Sequence, residues 1–556
     1  MMPTNSGKSL PLQRLAGYVA EGRPKKIGRT GWIVFAAVLL LGALPSLWAP
    51  FDGDQALFFV TGQKILAGDV LYRDVVDLKP PLIYFIYAGA IALFGESMLA
   101  VRIVELLVHF GVIWILAGTV RKVSGNDMWA VLAALCYAAL YFGLPFYSRG
   151  QVEGFANLPI VLMVALLADR ATVGRDRTMI LTGVLIGVLL LLKTSFLVLL
   201  PTVIILLLFN QEFRVARLIR QMFMMGAGML LPLFLVFLYL WQGGALGDFG
   251  LVQEFTSGYA AVQWATPLAS LSEAVRQIPW YFSTTYSALL AVLTVAGIYF
   301  FLTSGSGQVT VEEGREHGGA VVLLQFSILL FLVLLATVAI EAKYLTWHFN
   351  RLFLPGALLA SSGAVLVLRK ICSVRPNRFV LVMGAACLVP LLLLSPLVRY
   401  GWNSRASLIN AADGIEAFNS AQGMDGDGFD LAELKKIGDF LRENKKPGEA
   451  IFVASGWGGA IHFFAGDVPD FKVYQSGFLI APYAPDKWRQ DTREYLLDRT
   501  PQFIVAMHDA MPHITGEETT SLEMLRALPG VDSLLDNEYR VVLETPMALV
   551  YQRTGR

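Results

Sequence analysis

The feature that most restricts this chain is a recurrence of apolar runs long enough to cross a lipid bilayer. A bilayer core takes about 20 apolar residues in a helix. Runs of that kind fall at 31–49, 97–120, 127–147, 152–169, 178–192, 194–209, 221–241, 286–303, 319–340, 352–369 and 379–398. They predict an α-helical polytopic membrane protein with about eleven transmembrane helices. The fifth and sixth runs read as a tight hairpin with Lys193 at its tip, the alternative being one long tilted helix over 178–209. Composition agrees: 55% of the residues are hydrophobic and 16% are charged, outside the range of an average soluble protein. The first run is too long for the core of a cleavable signal, and no small-residue cleavage site follows it.

Basic residues set the orientation, because Lys and Arg flanking the spans collect on the cytoplasmic side. The basic clusters are Lys8 to Arg29, Arg121 with Lys122, Arg170 to Arg177, Arg214 to Arg220 and Arg369 to Arg378. With the N-terminus inside and all these crossings counted, every cluster falls inside. A single crossing over 178–209 would put the 214–220 cluster outside. Residues 82–94 are too short to span and read as a re-entrant or interfacial helix.

Three domains follow: a cytoplasmic segment 1–30, a membrane domain 31–398, and an outer-face, periplasmic domain 399–556. The membrane domain carries outer loops at 50–81 and 242–285. In the tail, 401–430 is rich in Gly, Asn, Ser and Asp and reads as a linker. Leu431 to Arg442 has helical spacing, while "AIFVAS", "PQFIVAMHD", "YRVVLE" and "ALVYQR" read as strands, so this domain is expected to be soluble and α/β. The expected location is the cell inner membrane.

Candidate chemistry concentrates on the outer side. Asp52 and Asp54 stand at the mouth of the first span. A carboxylate near the interface can act as a base toward a hydroxyl, and both can equally be solvated loop charges. Lys79 precedes Pro80 and Pro81, which hold it at headgroup depth, as a phosphate ligand or as a snorkelling side chain. Arg149, Lys193, Lys343 and Arg351 also fall at outer ends of spans, where the charge rule disfavours cations. One anionic lipid phosphate would satisfy several of them; carboxylates such as Glu153 and Glu341 are the other available partners. His348, beside Trp347 and Arg351, suits a phosphate or sugar hydroxyl as well as an interfacial belt. Arg102, Glu105 and His109 share one helix face and read as an internal ion pair. The three cysteines lie in or beside apolar runs, with no spacing suited to metal or disulfides. There is no Walker loop, dinucleotide fingerprint or HExxH, and "DGD" at 52–54 lies on the side where nucleotide sugars are absent. The net charge of +1 says nothing of nucleic acid, and no nucleic-acid partner is expected.

The order of an outer acidic residue after the first span, "AGDVLYRDVVDLKPPLIY" and "ALFGESMLAVR" resembles the glycosyltransferase C (GT-C) superfamily. Within it, the chain is similar to bacterial relatives of protein O-mannosyltransferases and lipid A aminoarabinose transferases. The likeness extends to "SRGQVEGFANLPIVLMVALLADR", "GVLIGVLLLLKTSF" and "HFNRLFLPGALL". It implies a hexosyl- or pentosyltransferase that inverts the anomeric carbon of a polyprenyl-phosphate sugar. Asp54 matches the family's presumed base, Glu153 a second acidic residue, and Lys79 in "KPPL" a lysine on the lipid phosphate. The family often has a contiguous Asp-Glu pair, whereas Gly53 separates Asp52 from Asp54 here. The expected catalytic set is Asp54, Asp52 and Glu153. The expected donor-phosphate set is Lys79, Arg149, Lys193, Arg351 and His348. At least three of the four basic residues of that set are expected to converge on one cavity bordering Asp54. No metal or other cofactor is required by this scheme. The expected partners are the polyprenyl-phosphate donor, membrane lipids, and an envelope glycan, lipid or protein acceptor. The competing readings are a polymerase or ligase of polyprenyl-linked oligosaccharides, and a non-enzymatic lipid or sugar transporter.

Overall fold

The computed structural model describes residues 27–169, 173–210, 214–264, 267–284, 291–295, 318–373 and 430–555. The run at 379–398, most of the run at 286–303 and the linker 401–429 lie outside the described residues. Helices cover the other long apolar runs: α1 Arg29–Ala43, α2 Gly53–Leu66, α3 Leu82–Phe94, α4 Met98–Ser124, α5 Asp127–Phe142, α6 Val152–Ala168, α7 Asp176–Leu192, α8 Leu199–Asn210, α9 Val215–Gln242, α10 Leu246–Gln263, α11 Pro267–Thr284, α12 Gly318–Glu341 and α13 Phe353–Ser373. Among the described residues, five helical stretches are long and apolar enough to cross a membrane: 29–48, 98–124, 215–242, 322–341 and 346–368. Large apolar side chains stand on the outside of such helices, among them Leu107, Trp114, Phe223 and Leu231. Hydrocarbon, not water, is the solvent that suits such faces. The chain is a mostly helical membrane protein.

Local chemistry accounts for the ends of these helices. α4 finishes on Arg121 and Lys122, which complement the negative end of its dipole. Gly125 makes the turn at φ 65°, and Asn126 then caps α5 by accepting from the Trp129 N–H at 3.1 Å. α3 has 13 residues, in keeping with a helix too short to span. Helical geometry breaks at Lys193, which is extended (φ −160°, ψ 129°) between α7 and the short 3-10 turn Thr194–Val198. The stretch 242–285 between the expected spans is largely helical, as α10 and α11. α11 carries Leu268, Leu271 and Val275 on one exposed face, a three-to-four residue spacing that an isolated loop would not maintain.

The chain divides into two compact units. The first comprises residues 1–48, 102–233 and 272–409. Here α7 and α9 approach backbone to backbone: a Cβ added at Gly183 would collide with the Met225 carbonyl, and one at Gly228 with the Ile180 carbonyl. Small residues give membrane helices this close contact.

The second unit comprises 49–101, 234–271 and 410–556. Its tail forms α14 Leu431–Asn444, β1 Ile451–Ala454, α15 Gly458–Ala465, α16 Asp486–Arg499, β2 Phe503–Met507, α17 Ser521–Ala527, α18 Val531–Glu538, β3 Tyr539–Glu544 and β4 Ala548–Arg553. The strands lie in the order β1-β2-β4-β3, with β1 and β2 parallel and the other pairs antiparallel. All four expected strand segments are strands. α2 packs on α3 through Phe58, Tyr84 and Tyr87, and on α15 through Phe59 and Phe463. Val76 N–H donates to the Lys472 carbonyl at 2.9 Å, and buried Lys64 reaches Asp69 and the Pro469 carbonyl, both at 2.7 Å.

Candidate active site

Within the second unit, the two acidic residues after the first span have different fates. Asp52 is buried and is the N-cap of α2, accepting from the Gln55 N–H at 2.8 Å. Capping is what a short carboxylate before a helix does by default. Asp54, two residues on, points out of the first turn and remains partly exposed, 2.9 Å from Lys79 Nζ. Lys79 also lies 4.8 Å above the Phe58 ring. The loop behind it is tightly folded: Tyr72 OH donates to the Lys79 carbonyl at 2.9 Å, and Tyr72 itself adopts φ 72°, a strained conformation for a non-glycine residue.

Sequence reasoning passed over Asp77. It is buried and accepts a hydrogen bond from Tyr84 OH, and burial holds its carboxyl above the usual range although the Lys79 charge opposes this. The signal was present in "DLKPPLIY", where an acid stands two residues before the lysine.

Within the first unit, α6, the Lys193 break, the end of α12 and the 3-10 turn Thr346–Leu352 meet at a buried charge cluster. The turn is tied to α6 by Asn157 Nδ2, which donates to the Asn350 carbonyl at 3.2 Å, and to the 3-10 turn Phe146–Ser148 before α6 by Asn350 Nδ2, which donates to the Ser148 carbonyl at 2.8 Å. Arg351 then reaches Glu153 at 3.0 Å and Glu341 at 2.7 and 2.8 Å. It also donates to Thr337 at 2.8 Å and Ser195 at 3.3 Å. Lys193 pairs with the same two carboxylates, at 2.5 Å to Glu153 and 2.8 Å to Glu341. His348 lies 3.9 Å from Glu153 and 3.6 Å from Glu341, beyond hydrogen-bond range. Among the described residues, His348 Nδ1 and Arg351 Nε are buried without a hydrogen-bond partner.

Ligand-type atoms of Glu153, Glu341 and His348 lie within 4.8 Å of one another, the arrangement a divalent ion would need. Lys193 and Arg351 already engage both carboxylates, and two fixed cations oppose a third. The cluster is electrically balanced, with both carboxylates already taken up by the two fixed cations.

Lys193, Arg351, His348 and Glu153 thus come together within one unit. Arg149 turns its guanidinium to the Leu144 and Phe142 carbonyls, at 3.0 and 2.7 Å, and so serves the C-terminal end of α5. Arg102 and Glu105 form the internal pair expected of them, 2.8 Å apart. His109 stacks on Tyr141 beside that pair and bonds Tyr137 at 2.9 Å.

Residues 78–241 match the family described as dolichyl-phosphate-mannose-protein mannosyltransferase. No curated protein matches the chain significantly in sequence. Among solved structures, ArnT from Cupriavidus metallidurans bound to undecaprenyl phosphate matches at 14% identity and TM-score 0.52, over 95% of this chain and 99% of that one. ArnT in the apo state matches at 13% and 0.52, over 94% and 98%. The archaeal oligosaccharyltransferase AglB from Archaeoglobus fulgidus, in complex with an inhibitory peptide and a dolichol-phosphate, matches at 12% and 0.45, over 86% and 70%. On the family match and the end-to-end likeness to ArnT, this chain has the fold of the GT-C superfamily.

Proposed function

We propose that the protein is a membrane glycosyltransferase. In this reading it moves a monosaccharide from a polyprenyl-phosphate donor to an envelope acceptor at the outer face of the cytoplasmic membrane, with inversion. The observation that carries it is the convergence of Lys193 and Arg351, with unpartnered donors beside them, among apolar helices. As seen here both cations are paired with Glu153 and Glu341, and an anionic headgroup is a further partner that a lipid substrate brings to them. The undecaprenyl phosphate bound to ArnT, whose fold this chain shares, supports the donor class.

Asp54 deprotonates the acceptor hydroxyl, which attacks the anomeric carbon as the bond to the phosphate oxygen breaks. Lys193 and Arg351, with His348 beside them, neutralise the phosphate that leaves, the same role that fixed donors play for any developing oxyanion. Glu153 holds Lys193 and Arg351 in place. The division of labour between Asp52 as cap and Asp54 as a partly exposed carboxylate supports Asp54 as the base. The finer architecture belongs to the same proposal: about eleven spans, the N-terminus in the cytoplasm and residues 399–556 as a periplasmic α/β domain.

The test is direct. Purified protein is incubated with a synthetic polyprenyl-phosphate sugar, and release or transfer of the sugar is followed. Turnover lost in Asp54→Asn supports the proposal. No turnover of any polyprenyl-phosphate sugar, in the presence of extracted envelope acceptors, refutes it.

A further inference from the structure

The buried cluster is electrically balanced as it stands: Lys193 and Arg351 face Glu153 and Glu341. A donor phosphodiester brings one more negative charge. Added to a balanced cluster, it would leave excess charge away from water, which is strongly disfavoured. Exchanged for one carboxylate, it would leave the balance unchanged. The question is which carboxylate leaves.

Three observations single out Glu341. Glu153 lies in the first turn of α6, where the helix dipole favours an anion, whereas Glu341 is the last residue of α12, where the dipole disfavours one. The Glu341 side chain is 13% exposed against 3% for Glu153, so it has somewhere to go. Immediately after it, Ala342 and Tyr344 adopt φ 53° and 50°, left-handed conformations that non-glycine residues hold only at a cost. Such strain collects at segments that change shape.

We propose that Glu341 is an exchangeable counter-ion: the donor phosphate replaces its carboxylate on Lys193 and Arg351, and residues 341–345 shift as it leaves. This rests on the assignment of Lys193 and Arg351 to the donor phosphate. Movement of the segment releases the strain at Ala342 and Tyr344, which partly offsets the loss of the Glu341 pairs. The exchange also favours turnover. A phosphate monoester carries about −1.5 to −2 charge near neutral pH, more than the diester donor, so the returning Glu341 carboxylate helps to expel the lipid product.

Binding of a synthetic polyprenyl phosphate to the purified full-length protein tests the exchange. Glu341→Gln removes the competitor and should tighten binding, within the about 5–150-fold range of coupled equilibria. It should also strengthen product inhibition, lowering kcat and KM together. Ala342→Gly relieves the strain of the arrangement seen here and should weaken binding several-fold, a change of opposite sign. Unchanged or weaker binding in Glu341→Gln, while Lys193→Met loses affinity, overturns the exchange and leaves the phosphate assignment standing. Full affinity in both Lys193→Met and Arg351→Met removes the phosphate assignment, and the exchange with it. Should Glu341→Gln not fold, unchanged or tighter binding in Ala342→Gly overturns the exchange by itself.

Discussion

Replacing Arg351 with methionine separates the structural work of the cluster from its proposed chemical work. The Arg351 side chain has no exposure and donates to Glu153, Glu341, Thr337 and Ser195. Its removal leaves two buried carboxylates to share the single ammonium of Lys193. Breaking a buried pair by deleting one partner costs about 3–5 kcal/mol, because the remaining charge is uncompensated. Adding Glu341→Gln removes the excess charge, leaving Lys193 opposite Glu153, and should restore a coupling of about 0.5–3 kcal/mol. Transfer activity should behave otherwise. If the guanidinium stabilises the leaving phosphate, its loss costs about 10²–10³-fold in kcat, by analogy with removal of one oxyanion donor. That loss should persist in the double variant. The assays are thermal unfolding in detergent and transfer from a polyprenyl-phosphate sugar, run on the wild type, both single variants and the double variant. Recovery of stability and transfer together in the double variant would refute the phosphate role and leave Arg351 a structural residue. An unfolding temperature unchanged by Arg351→Met would refute the buried cluster itself.

The acidic pair after the first span divides in the same way. Asp54→Asn should abolish transfer and spare donor binding, whereas Asp52→Asn should keep most activity because Asn caps helices as well as Asp does. Asp52→Ala should instead lower stability by about 1 kcal/mol, and full transfer in Asp54→Asn would move the base elsewhere. For topology, a reporter fused after Leu397 should be active on the outer side of the membrane, and activity confined to the cytoplasm would reverse the orientation. In the tail, burial pushes Asp467 up, but hydrogen bonds from His462 and Lys445 outweigh this and hold it below its ordinary 3.8. Its contribution to stability is therefore full above about pH 4 and should be lost as pH falls through the depressed value. Unfolding of wild type and Asp467→Asn between pH 3 and 6 checks this, and a gap between them that widens with acid would contradict it.

Much of this protein is local in origin and so was legible in the sequence. Apolar runs declare helices because each residue in a bilayer must satisfy its own backbone within the segment. The four strand segments of the tail were likewise declared by short apolar runs between turn residues. The interrupted helix at Lys193 fits the same logic, since a lone lysine inside a long apolar stretch marks a break. What the sequence left open was decided by contacts between distant residues. The cap of α2 separates Asp52 from Asp54 locally, but the pairing of Asp54 with Lys79, 25 residues away, is set by the fold. Nothing local ties the segment 49–101 to the C-terminal tail, yet Val76 bonds the Lys472 carbonyl and Thr61 the Tyr474 hydroxyl in one compact unit. The pairing of Lys193 and Arg351 with Glu153 and Glu341 is of the same kind. A cation's partner is set by Coulomb attraction across space in a medium of low dielectric, and which carboxylate is near enough is a property of helix packing that no single stretch of sequence contains.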